Sequence, residues 1–197
     1  MREKQREETR RRLYHAALEV FSRDGVAESR IEDIAARAEV SRAAFYFHFP
    51  SKDDVLVQLL LEAQVGFVEA LHAVPESAPF TAVLEALNAH MAAFWSQGER
   101  GRLLVDVMAV SLRRVEAFHA REDELVRDVM GKRFELAASR GELSSLAPAG
   151  VLADMYLLNC SAAMAAWCVQ PTTPLKAVLD GVLQLFMHGA GPRERAS

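Results

Sequence analysis

The densest run of side chains able to do chemistry in this 197-residue chain is Ser41-Arg42-Ala43-Ala44-Phe45-Tyr46-Phe47-His48-Phe49, with Arg30 upstream and Lys52 just downstream. A guanidinium, a phenol, an imidazole and an ammonium are hydrogen-bond donors, and the two small alanines let the backbone approach whatever those donors hold. This is the chemistry of binding, not of bond-making. The chain has no Gly-x-Ser-x-Gly elbow and no glycine-rich phosphate loop, so no enzyme is expected. His119 and Glu122, at i and i+3, are spaced to touch a metal, but without further ligands a solvated helix face explains them better. No metal or cofactor is expected. Cys160 and Cys168 lie eight residues apart on one expected helix, about 12 Å along its axis, too far to bridge each other. A bridge across a dimer, making a thiol-based redox sensor, is the alternative reading.

Composition says what kind of frame holds these groups. Hydrophobic residues make up 51% and charged residues 25%, with ten Gly and seven Pro. The dominant Ala, Leu, Glu and Arg are strong helix formers, so an all-α fold of about nine helices is expected. Two cysteines cannot build a disulfide framework, which fits a reducing cytoplasm. The charged start MREKQREETRRR has no apolar segment, so no signal peptide is expected. Net charge is -4, yet residues 1–52 carry 11 Lys and Arg against 9 Asp and Glu, while the remainder is acidic. Positive charge gathers weakly at one end. That bias alone does not identify a partner.

Periodicity and caps place the elements. Leu13, Ala16, Ala17, Val20 and Phe21 form one apolar stripe of a first helix that Asp24-Gly25 ends. Ser29-Arg30-Ile31-Glu32 matches a capping box for a short second helix with Ile31, Ile34, Ala35 and Ala38 inward. Ser41 caps a third short helix that Pro50 stops, with Phe45 and Phe49 turned to the core. A long fourth helix begins after Ser51 and runs to about Val74. Helices this short cannot stand alone and must pack on the first and fourth. Further helices are expected at 79–97, from 100 to about 112, then to about 140, at 148–170 and at 174–188, with a loop at Gly141-Glu142-Leu143. Val151 to Val169 is nearly long and apolar enough for a membrane span, but Asp154 and Asn159 lie within it. An Asp near a bilayer centre costs about 2.5–3.5 kcal/mol. A bundle helix buried on all sides is the better reading, pointing to a subunit interface rather than a membrane.

Two very short helices joined by a tight turn, framed by longer ones, make a distinctive layout, and the residues within it are specific. Phe21, Gly25, Ile34-Ala35, Val40-Ser41, the Phe45-Tyr46-Phe47-His48-Phe49 run and Lys52, two residues after Pro50, stand in order within AALEVFSRDGVAESRIEDIAARAEVSRAAFYFHFPSKDDVLVQLL. The stretch resembles the TetR family of one-component bacterial regulators over about a third of the chain. Two departures are Glu39, where the family often carries Gly and where Glu needs a tamer backbone, and the acidic Glu32-Asp33 of the second helix. Elsewhere only the helix count and the loop after Arg140-Gly141-Glu142-Leu143 resemble the family.

The resemblance implies a helix-turn-helix domain at residues 6–66, with its motif at about 30–49, and a ligand-binding and dimerisation domain at 67–197. In that arrangement Arg42 forks onto a guanine, Ala43 and Ala44 meet thymine methyls, and Tyr46, Phe47 and His48 reach phosphate, base or sugar. Ser41, Lys52 and Arg30 are further candidates for the DNA backbone. The arm bearing Arg2, Lys4, Arg6, Arg10, Arg11 and Arg12 is expected to be a plain solvated helix end, because glutamates interleave it, with a path along the DNA backbone or minor groove as the alternative. Two units are needed to read a palindromic operator, so a homodimer is expected, held by Leu152, Met155, Leu158, Ala162, Leu179, Leu183 and Phe186. An apolar pocket for a hydrophobic or aromatic effector is expected from Phe67, Met91, Phe94, Trp95, Met108, Phe118, Met130, Phe134, Asn159 and Trp167, with Tyr156 and Met164. Asn88, His90 and Gln170 are added as orienting polar groups. Effector binding is expected to release a repressor from DNA.

Overall fold

Helix α1 (Arg2–Asp24) buries Leu13, Ala16, Ala17, Val20 and Phe21 on one face, as their spacing requires. It ends where Gly25 takes φ +84° and donates its N–H to the Phe21 carbonyl at 2.8 Å. The computed structural model describes residues 2–97, 100–113, 126–143 and 147–190. Among them are nine helices and no strand. They are α1, α2 (Ile31–Arg37), α3 (Arg42–His48), α4 (Lys52–Ala73), α5 (Phe80–Trp95), α6 (Arg100–Arg113), α7 (Val126–Ser139), α8 (Ala149–Val169) and α9 (Leu175–Ala190).

The chain divides into two compact units, residues 1–61 with 97–118, and residues 62–96 with 119–197. The expected halves, 6–66 and 67–197, follow chain order; the compact units do not, because α6 joins the first. Its buried residues are Leu103, Leu104, Val107 and Val110, and Arg113 reaches Asp53 of α4 at 3.4 Å. In the first unit, α2 contributes Ile31, Ile34 and Ala35 to the core, α3 contributes Phe45, and Phe49 follows. Val55, Leu56 and Leu59 of α4 complete it.

Two local expectations need correction here. The capping box does not form: Arg30 is the N-cap of α2 without a side-chain cap, and the Ser29 hydroxyl donates instead to the Val26 carbonyl at 2.8 Å. Ser29 is buried in the turn, so its hydroxyl takes the nearest carbonyl. Glu39 does not avoid the glycine conformation either. It sits at φ +54°, in the left-handed region. The turn from α2 to α3 demands that geometry, and Glu39 accepts it with its side chain exposed.

In the second unit the aromatic rings of Phe80, Phe134, Tyr156 and Phe186 form a cluster, with Phe80 and Phe134 centroids 4.7 Å apart and Tyr156 and Phe186 5.1 Å apart. The Arg140-Gly141-Glu142-Leu143 loop has a definite task. Gly141 takes φ +73°, and a Glu142 carboxylate oxygen accepts the Phe80 N–H at the start of α5, at 2.6 Å. Arg133 donates to the Leu71 and Val74 carbonyls at 2.8 and 2.6 Å, satisfying groups that the end of α4 leaves open. By length and composition alone α4 and α8 are apolar enough to cross a membrane. Helix α8 is not buried on all sides: Leu152, Tyr156, Cys160 and Met164 are covered, whereas Val151, Met155, Leu158 and Val169 are exposed. Phe118, His119 and Glu122 lie outside the described residues.

Candidate nucleic-acid interface

Helix α3 is two turns long and has two opposite faces. Phe45 is 0% and the adjoining Phe49 1% exposed, whereas Tyr46 is 43% and Phe47 66% exposed. An apolar ring left in water beside two that are not requires a reason, and the fold of α1, α2 and α4 supplies one: it grips the inner face and presents the outer. The Ser41 hydroxyl starts the helix by accepting the Ala44 N–H at 3.2 Å. Arg42 and Ala43 are exposed in its first turn, and Ala44 is half-buried.

The charged groups on this face are engaged with one another. An Arg42 guanidinium nitrogen lies 3.1 Å from a Glu32 carboxylate oxygen, and its central carbon sits 5.6 Å from the Tyr46 ring centroid. Arg30 approaches the other Glu32 oxygen at 4.0 Å. At the far end of α3, the Arg6 guanidinium lies over the Phe47 ring at 5.0 Å and Arg10 over Phe49 at the same distance. Arg10 also donates to Gln58 at 2.8 Å. Glu3, Arg6, Glu7, Arg10, Phe47 and His48 line a groove of about 330 Å³. Burial, then the charges of Arg6 and Arg10, push the His48 imidazole below its ordinary pKa, with Glu7 opposing. That shift favours the neutral imidazole, which offers a single N–H.

Lys52 has another partner set. Its ammonium donates to the Val26 and Ala27 carbonyls at 2.8 and 3.0 Å, tying the start of α4 to the turn between α1 and α2. Of its three N–H groups two are committed to the fold, which the sequence did not suggest. The arm is helical as expected, but Arg6 and Arg10, expected on a plain solvated helix end, lie four residues apart against the aromatics of α3 and its end. Their i, i+4 spacing on α1 was the available signal.

This unit coincides with a known one. Residues 13–59 match the family described as bacterial regulatory proteins, tetR family. The regulator AcrR of Shigella flexneri is 31% identical over 104 residues, 52% of this chain and 48% of that protein. The chain spans about half or less of the length of the first curated relatives it matches. Among solved structures, FadR of Thermus thermophilus in complex with lauroyl-CoA superposes with TM-score 0.67 at 22% identity, over 95% of this chain and 98% of that one. SmeT, repressor of the Stenotrophomonas maltophilia multidrug efflux pump SmeDEF, gives 0.69 at 24% identity, over 93% and 92%.

Over residues 13–59 the chain is similar to the TetR family.

The residues expected to line a pocket are only partly brought together. Phe67 packs edge-on against His90 and Phe94, at 5.7 and 6.0 Å between centroids, and Phe94 against Trp95 at 5.0 Å. Met91, Trp95, Met130, Phe134, Tyr156 and Met164 are buried in the same unit. Met108 lies on α6 in the other unit, Asn159 is exposed with its amide donating to the Met155 carbonyl at 2.7 Å, and Gln170 is exposed. The Trp167 ring N–H is bound to the Thr173 carbonyl at 2.7 Å. Asn88 is fully buried, and its polar groups are in use: its amide donates to the Leu179 carbonyl at 2.9 Å and its oxygen accepts the Tyr156 hydroxyl at 2.8 Å. It is a core tie rather than a group waiting for a ligand.

Of the candidate subunit contacts, Met155, Leu158 and Ala162 are exposed and Phe186 half-buried, while Leu152, Leu179 and Leu183 are 5%, 0% and 3% exposed inside the chain's own core. Those three cannot serve a second copy without unpacking the unit. The thiol alternative is not supported. Cys160 is buried beside Asn88 and Tyr156, and desolvation pushes its thiol up to about 12, so it stays protonated and unreactive. Burial raises the Cys168 pKa as well.

Proposed function

We propose that this protein is a cytoplasmic transcriptional repressor, reading a palindromic operator as a homodimer and releasing it on binding a small apolar effector. The observation that carries the reading is the division of α3, with Phe45 sunk in the core and Arg42, Ala43, Tyr46 and Phe47 exposed on a supported helix. A helix so held fits the major groove, where Arg42 takes guanine O6 and N7 and the alanine methyls lie against thymine. Tyr46, Phe47 and His48 then meet backbone and base at the far end, with Ser41 and Arg30 at the near end. Lys52 contributes its remaining N–H.

A dimer follows from an apolar stripe on α8. Val151, Met155, Leu158, Ala162 and Val169 recur at helical spacing and are all exposed, which a second copy covers. The effector's chemistry follows from the buried set around Phe67, Met91 and Phe94. Lauroyl-CoA, the ligand in the Thermus FadR complex, is a long apolar chain on a polar carrier, and a ligand with such an apolar part suits these walls. Helix α4 has residues in both units and is a covalent link through which effector binding changes DNA affinity.

Selection from a pool of random duplexes by the purified protein tests this. Enrichment of an inverted repeat with half-site centres about one helical turn apart, or a multiple of it, is expected. A pool that stays random after repeated rounds overturns the reading.

A further inference from the structure

Several exposed arginines of the first unit are neutralised by a carboxylate: Arg23 by Asp24, Arg37 by Glu19, Arg42 by Glu32 and Arg113 by Asp53. Arg6 is held differently. Its guanidinium lies over the exposed Phe47 ring, 5.0 Å from the centroid, and among the described residues no carboxylate pairs with it. A ring attracts the cation without supplying acceptors for its N–H groups. Arg10, one turn further along α1, lies over Phe49 and donates to Gln58 of α4, which fixes this part of α1 against the core.

The groove that results is positive although carboxylates line it. Glu3, Arg6, Glu7, Arg10, Phe47 and His48 enclose about 330 Å³ between α1 and α3. The His48 imidazole reports the field there. Burial, then Arg6 and Arg10, lower its pKa, and Glu7 opposes them with less effect.

We propose that this groove is a DNA phosphate site, with Arg6 its principal ligand beside the His48 ring N–H. The inference rests on the DNA-reading role given above and adds to it a contact from outside the helix-turn-helix. With α3 along the major groove, the end of that helix comes against the sugar-phosphate strand that borders it. Phe47 marks the outer face at that end, and Arg6 stands over Phe47, so its guanidinium is carried to the strand. A phosphodiester offers only acceptors, which suits a guanidinium that has no carboxylate to leave. Arg42, by contrast, must first part from Glu32. A phosphate contact carries no sequence information: it raises affinity for selected and unselected duplex alike and fixes how α3 is seated. Glu3 and Glu7 temper the attraction, and removing either charge strengthens it.

Binding of the full-length Arg6→Ala protein is compared with wild type by fluorescence anisotropy over a series of salt concentrations. The probes are the duplex that wild type selects and a scrambled duplex of the same composition. Arg11→Ala is the control, removing an exposed arginine of the same helix that lines a different groove, against the end of α2. Arg6→Ala should weaken both duplexes by one common factor of about five. The slope of log affinity against log salt should become shallower by about 0.9 for each protomer, the value of one lost phosphate contact. Arg11→Ala should change both quantities much less. Glu7→Gln, which tests the groove without touching Arg6, should tighten both duplexes. A weakening confined to the selected duplex, an unchanged salt slope, an equal loss from Arg11→Ala, or no gain from Glu7→Gln overturns the proposal. A wild-type protein that binds the two duplexes equally overturns the DNA-reading role itself, which is a separate outcome.

Discussion

The outer face of α3 leaves its chemically capable groups in water, and the core around Asn88 uses them up inside. On α3 the guanidinium of Arg42 is held by one exposed carboxylate and an aromatic ring, ties that a partner can replace. In the second unit the amide of Asn88 is fully buried between the Tyr156 hydroxyl and the Leu179 carbonyl, ties that water cannot replace. Polar residues in a recognition surface must be available, whereas polar residues in a core must be satisfied. Exposure and hydrogen-bond partners, not residue type, separate the two.

Neighbouring phenylalanines give the largest test of this contrast. Phe45→Ala should cost about 3–5 kcal/mol in unfolding free energy, the range for emptying a fully buried Phe site. Phe47→Ala should change stability by less than about 0.5 kcal/mol, as exposed substitutions do, while weakening DNA binding. Chemical denaturation and anisotropy on the same two proteins check both, and a stable Phe45→Ala protein breaks the comparison. Next, Asn88→Ala should cost about 2 kcal/mol by leaving the buried Tyr156 hydroxyl without its acceptor. Thermal melts read this, and an unperturbed melt means that Asn88 is spare and open to a ligand role.

Much of the first unit was legible because short-range rules govern it. Gly25 closing α1, Ser41 capping α3 and Phe45 with Phe49 turned inward all follow from residue type and local spacing. Where the reading failed, long-range geometry had intervened. Nothing local shows that Lys52 reaches back to the Val26 and Ala27 carbonyls, or that Ser29 is buried in the turn and bonds to Val26 instead of capping α2. In the second unit the helices were legible and their faces less so. Leu152 and Leu158 are equally apolar, yet Leu158 is 69% exposed and Leu152 is core, because α8 is apolar on every side and carries no periodic signal to orient it. Asn159 and Asn88 are alike as letters and opposite in burial.

Smaller effects sharpen the same contrast within the first unit. Lys52→Met should lower stability by about 1 kcal/mol through the loss of two charge-assisted bonds to carbonyls. A residue that only met phosphate would reduce DNA affinity and leave the melt alone. Glu39→Gly should raise stability by about 0.5 kcal/mol, relief of the left-handed backbone outweighing glycine's greater freedom when unfolded. Denaturation midpoints measured side by side decide it, and a loss of stability would mean that the Glu39 side chain contributes more than its backbone costs.

The most direct measurement is the affinity of the combined Arg42→Ala and Tyr46→Ala protein for the duplex that wild type selects, taken by anisotropy alongside a melting curve. Both side chains are exposed, so the melt should stay within a few degrees of wild type. Discrimination between selected and scrambled duplex should collapse towards one. A folded double variant that still prefers the selected duplex as strongly as wild type would show that the outer face of α3 does not read DNA.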